Sequence, residues 1–194
     1  MRCRPWLALL LAISFTASAA TADVDARGPA EFDRWVSTRQ REVAAFQAYL
    51  QAHGVAAVLP PWQLLRTASD WQRCNAQPFA LAPRAQWQSA ADTLALLKHL
   101  RQQQVLGPFE VVSTWRSDAL NRCAHGSAHS AHVRGFAIDL LPGAPVQGLC
   151  EFWKQHGPAW NMGLSRYPSG RVHIDTAGYR TWGSDYSQRS SFCQ

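Results

Sequence analysis

Ser130–Asp139, SAHVRGFAID, is the stretch from which the rest of the chain can be read. It places His132 and Asp139 seven positions apart, with Gly135 between them where the chain must turn. Asp139 sits in an apolar run, Gly135–Leu141 (GFAIDLL), which reads as a strand. A carboxylate in such a strand is expensive to bury unless something pairs with it, and a cation would serve. A second short apolar strand, Arg171–Asp175 (RVHID), carries His173, with Asp175 two residues on and therefore on the same face. Two neighbouring strands would bring His132, Asp139 and His173 to one point. Two imidazoles and one carboxylate leave a fourth position open, the ligand count of a catalytic zinc rather than of a closed structural one. The donor types also suit zinc better than magnesium or calcium, which take mostly oxygen. Each piece alone fits a satisfied core residue equally well, and His125 and His129, in the small polar loop Ala124–Ala131, read equally as bystanders.

Outward from this stretch the elements alternate. Phe109–Trp115 (FEVVSTW) has the β-branched and aromatic content of a strand, and Ser117-Asp118 would cap a short helix running through Cys123. Val146–His156 reads as a helix stopped by Gly157-Pro158. Upstream, apolar residues at helical spacing predict one amphipathic helix over 31–53, with Gly54 as its stop. The segment 55–82 reads as a short helical piece followed by extended chain, and a further helix begins at Pro83 and ends at Gly107-Pro108. Helices first, then strands with short helices, indicate an α+β fold in which N-terminal helices pack on a small antiparallel sheet carrying a metal site. The expected organisation is one domain over 23–194: a helical part at 28–107, a core at 108–183 and a tail at 184–194.

The first 22 residues are expected to lie outside that domain. Arg2 and Arg4 precede the apolar run Trp6–Phe15, and small residues at Ala17–Ala22 offer a cleavage site, the pattern of a secretory signal peptide. The run is short of the ~20 residues that span a bilayer, so no stable membrane insertion is expected after cleavage. Two of the 19 basic residues belong to this leader, so 17 face 13 acidic ones in the rest of the chain. They are scattered, and no nucleic-acid partner is expected. Without Cys3, four cysteines remain: Cys74, Cys123, Cys150 and Cys193. An even number in an exported chain, with no close Cys-X-X-Cys pair, reads as two disulfides. Of three connectivities we favour Cys74 with Cys123 and Cys150 with Cys193, because the second would fasten a tail that otherwise has little to dock it.

Ser130, His132, Gly135, Ala137 and Asp139 together meet the pattern Ser-X-His-X-X-Gly-X-Ala-X-Asp. This resembles the signature of the zinc D-alanyl-D-alanine carboxypeptidases and murein endopeptidases of the LAS metallopeptidases, a group named for lysostaphin, D-alanyl-D-alanine peptidases and sonic hedgehog. Ser113–Ser117 (STWRS) is similar to that group's strand end, and Gly163–Pro168 (GLSRYP) to its approach to the last strand. Val172–Thr176 (VHIDT), followed by Tyr179–Trp182 (YRTW), is similar to the ending of one exported branch.

The resemblance covers about residues 109–183. It implies a zinc ion (Zn2+) held by His132, Asp139 and His173, Arg116 near the scissile carbonyl, and Ser130 supporting a ligand or hydrogen-bonding substrate. The implied activity is hydrolysis of peptidoglycan stem peptides or cross-links by a secreted or periplasmic enzyme. Many relatives place a proton-transfer residue, Glu or His, three or two residues before the last ligand; Gly170 and Arg171 stand there. Asp175 is then the nearest carboxylate, as base, as the residue orienting His173, or as a ligand with His173 as base. The alternative to an enzyme is a zinc-containing module that binds cell-wall peptides without cutting them, since sonic hedgehog need not act as a peptidase.

Overall fold

A computed structural model describes residues 27–194, and the expected leader, with Arg2, Cys3 and Arg4, lies outside the described residues. Five short strands form the sheet: β1 (Phe109–Ser113), β2 (Ala137–Pro142), β3 (Gly163–Arg166), β4 (Val172–Asp175) and β5 (Arg180–Trp182). Their spatial order is β1-β2-β4-β3-β5. The first four pair antiparallel, as expected, but β5 joins β3 in parallel, so the sheet is mixed. The reason is topological. The chain reverses after β4, whose two flanks are already taken by β2 and β3, so the returning segment adds at the outer edge of β3.

Strand alternation gives the sheet two unlike faces. On one, Ile138 lies opposite Ile174, Leu140 opposite Val172 and Leu164 opposite Ile174, all fully buried. Helix α4 (Trp87–Gln102) packs against β2 and brings Leu94, Leu97 and Leu100 into the same core. Thr93 on α4 bonds the Phe136 carbonyl at 3.2 Å and the Thr176 hydroxyl at 3.1 Å, fixing how helix and sheet meet.

The helix predicted over 31–53 is two helices, α1 (Pro29–Val36) and α2 (Gln40–Ala52). Between them the Ser37 hydroxyl donates to the Arg34 carbonyl at 2.8 Å and the Arg39 guanidinium returns to the Trp35 carbonyl at 3.0 Å. Side-chain bonds of this kind compete with continued helix, and the bend lets Phe32 and Trp35 share a core with Val43, Phe46 and Leu50. A short α3 (Pro61–Leu64) follows. Helix α4 stops at Gln102, before the expected Gly107-Pro108. Gln104 adopts φ 58°, and the Val105 and Leu106 amides both turn back to the Leu100 carbonyl, so a left-handed cap ends the helix. Helix α5 (Asp118–Cys123) carries the expected cap, its Leu120 amide donating to Ser117 Oγ. Helices α6 (Ala131–Arg134) and α7 (Gln147–His156) complete the set. Both favoured disulfides are present, Cys74–Cys123 tying the turn at Cys74 to the last residue of α5 and Cys150–Cys193 holding the C-terminus to α7.

Candidate metal centre and its cleft

On the sheet's second face, the register aligns Ser113, Asp139, His173, Ser165 and Trp182 in one row across all five strands. Asp139 and His173 are thus direct cross-strand neighbours. Helix α6 delivers His132 to the same point: Ser130 Oγ accepts from the His132 amide at 3.3 Å, and the His132 carbonyl accepts from the Arg116 amide at 2.9 Å. His132 Nε2 lies 3.1 Å from Asp139 Oδ1 and 3.2 Å from His173 Nδ1, and His173 Nδ1 lies 2.9 Å from Asp139 Oδ1. Donors at zinc-ligand distance in a tetrahedron are about 3.3 Å apart. The three side chains, all buried, are the group that could hold a metal among the described residues.

Each imidazole has its other nitrogen engaged, which determines the lone pair it presents. His132 Nδ1 lies 2.5 Å from the Thr114 carbonyl and donates to it. Thr114 is itself locked, its hydroxyl bonded to the Leu64 and Arg66 carbonyls at 2.8 and 2.9 Å, so the end of α3 and the chain just beyond it set the ring of the α6 histidine. His173 Nε2 lies 2.6 Å from Asp175 Oδ2. Asp175, fully buried, also accepts from the Ala177 amide at 2.7 Å and from both terminal nitrogens of Arg180 at 2.9 and 2.7 Å. Gly163 on β3 lies directly opposite it, where an added Cβ would come within 2.5 Å of Asp175 Oδ2, so only glycine permits this approach. Arg116 pairs through Nη2 with Asp139 Oδ2 and donates from Nε to Ser113 Oγ at 2.9 Å.

The electrostatics follow from these contacts. Burial, reinforced by the Arg116 charge, lowers the His132 pKa to about 4, leaving its imidazole neutral with a free lone pair at Nε2. Burial also opposes charge on His173, but hydrogen bonds to Asp139 and Asp175 win and raise its pKa to about 9. Both carboxylates titrate below their ordinary range: burial resists this, and His132 with Arg116 overcome it at Asp139, His173 with Arg180 at Asp175. The centre therefore favours positive charge. Burial, then the Asp139 charge, raises the Tyr167 phenol, which stays protonated as a hydrogen-bond donor.

His132, Asp139 and His173 open onto a cleft of about 590 Å³ whose wall includes Arg116, Ser130, Tyr167, Arg171 and Tyr186. His125 and His129 line it too, although nothing in their spacing marks them. Asp175 does not line it: its carboxylate lies behind His173, on the far side of the ring from the three converging donors. Sequence reading missed the parts played by Arg180, Tyr167 and the Thr114 carbonyl. The first two stand inside quoted motifs but had no assigned partner, and a backbone carbonyl leaves no mark in a sequence.

The family model described as Peptidase M15 matches residues 63–175, more than half of the chain. The chain belongs to the peptidase M15 family. The matched span of this M15 peptidase includes Arg116, Ser130, His132, Asp139, His173 and Asp175 and stops before Arg180. M15 peptidases are metal-dependent, in keeping with the His/Asp/His group. No curated protein and no solved structure matches the chain.

Proposed function

We propose that the protein is a zinc peptidase of the cell wall, secreted or periplasmic, hydrolysing peptidoglycan stem peptides or their cross-links as a D,D-carboxypeptidase or murein endopeptidase. The observation that carries this reading is the triangle of three buried donors, each oriented from behind, at the floor of a cleft within the M15 match. Two disulfides support an extracytoplasmic address.

His132, Asp139 and His173 would hold the zinc, with donor types and spacing that fit it. Bound there, zinc lowers the pKa of water and polarises the scissile carbonyl. Arg116 steadies the Asp139 carboxylate and presents guanidinium to the cleft, where negative charge develops on the carbonyl oxygen. Tyr167 adds a phenolic donor to the same space, and Ser130 caps the helix that carries His132. For Asp175 the geometry supports the orienting role over the base and ligand roles, since His173, Ala177 and Arg180 already occupy both its oxygens.

The test is digestion of murein by purified protein, followed by mass spectrometry of the fragments. Activity is expected to vanish in chelator and return with one equivalent of zinc. Released D-alanine marks the carboxypeptidase and split dimers the endopeptidase. Digestion that survives exhaustive chelation overturns the zinc chemistry. Gly170 and Arg171, where relatives carry a proton-transfer residue, favour one second reading: zinc-loaded protein that binds muropeptides and yields no product is the binding module.

A further inference from the structure

Arg171 closes the β3–β4 hairpin. Its carbonyl accepts from the Tyr167 amide at 2.8 Å and the Gly170 amide returns to the Tyr167 carbonyl at 2.9 Å, with Gly170 at φ +83°, a conformation that favours glycine. The turn places Arg171 two residues before His173. Side chains two apart on an extended segment leave the same face, about 6.6 Å along the chain, and Arg171 lines the same cleft as the three converging donors.

The charges of that cleft do not balance around it. Three arginines line it. Arg116 is tied to Asp139 and Arg180 to Asp175. Of the carboxylates in the wall, Asp139 is thus engaged, and Asp70 accepts from Arg73 Nε at 3.2 Å and Nη2 at 3.0 Å. Among the described residues, no carboxylate or other acceptor pairs with the guanidinium of Arg171, itself a half-buried residue. A guanidinium offers five donors in a planar fork that matches a carboxylate with two parallel bonds. On a half-buried residue that lines the cleft, it is a receptor for an anion that the protein itself does not supply.

We propose that Arg171 is a specificity-determining carboxylate clamp that binds a free carboxylate of the peptide within two residues of the scissile bond. The proposal deepens the peptidase reading and rests on it for the identity of the bond, but not for the binding of the carboxylate. That carboxylate has two possible sources: the C-terminus of the peptide, as a carboxypeptidase requires, or an acidic residue within the stem, as an endopeptidase would meet.

The experiment uses zinc-loaded wild type, Arg171→Gln and Arg171→Lys, with three synthetic stem pentapeptides: unmodified, C-terminally amidated, and amidated only at internal carboxyl groups. Both kcat/KM and, separately from turnover, the Kd of the tetrapeptide with the matching carboxyl groups are measured. In wild type, amidating the recognised carboxylate is expected to lower kcat/KM about 10–100-fold, mostly through KM, as loss of a charged hydrogen bond would. Arg171→Gln should show the same loss on the unmodified peptide and no further loss on amidation, with Arg171→Lys intermediate. The arm in which the free-to-amide ratio collapses names the source. An unchanged ratio in every arm, in variants with a wild-type melting temperature, overturns the clamp. If no pentapeptide is cut, the carboxypeptidase arm of the peptidase reading fails and Kd decides the clamp: a loss confined to free carboxylates supports it, and equal binding by wild type and Arg171→Gln overturns it.

Discussion

Ile138, Leu140, Val172 and Ile174 cover one face of β2 and β4, and Asp139, His173 and Asp175 lie on the other; all seven are buried. The apolar four need volume and little else, so neighbours of similar size can replace one another. The polar three are each bound to particular atoms: Asp139 to Arg116 and the two imidazoles, His173 to Asp139 and Asp175, Asp175 to Ala177 and Arg180. Burial thus has a different meaning on the two faces. On the first it stabilises the fold, and on the second it is tolerated because every charge has a partner.

Replacing residues on either face tests that contrast. The largest effect is expected on the polar side: His132→Ala removes one of three donors and should abolish both turnover and stoichiometric zinc while circular dichroism stays native. Retained activity would show that the metal centre lies elsewhere. Next is Ile174→Ala, which should cost about 2–5 kcal/mol in urea unfolding while kcat/KM at temperatures below the transition is unchanged. A loss of catalysis without loss of stability would erase the distinction between the faces. Asp175→Asn should weaken zinc binding about 10–100-fold, as loss of a carboxylate behind a ligating histidine does, measured by competition with a chromophoric chelator. Should affinity hold while turnover collapses, Asp175 is the base and not the orienting group. The smallest change is expected for Ile138→Val, about 0.5–1.5 kcal/mol of stability with zinc affinity untouched.

Much of the site is legible along the chain for one reason: a charge in a short apolar strand has no cheap place to go. That singled out Asp139, and the period of two placed His173 and Asp175 on one face. Of the three connectivities that four cysteines allow, the favoured one is present, although the undocked tail argued only for Cys150–Cys193. Other features could not be read. Helical spacing continues through Ser37–Arg39 although two side-chain bonds to carbonyls interrupt the helix there. The three residues of β5 are too few to show a period, and its parallel pairing depends on which edge of β3 stays open.

The amino-acid sequence by itself determined the α+β class, the capped α5 and, through motifs over about residues 109–183, the family resemblance that named His132, Asp139 and His173. Only the tertiary structure decided which nitrogen of each imidazole faces the centre, that Asp175 stands behind His173, and that Arg171 meets no acceptor among the described residues. The physical reason is that a ring nitrogen's role is set by what accepts the proton of the other. Those acceptors, the Thr114 carbonyl held by Leu64 and Arg66 and the Asp175 carboxylate held by Arg180, are themselves placed by contacts between separate parts of the chain. Local spacing records which residues share a face, not what stands behind them.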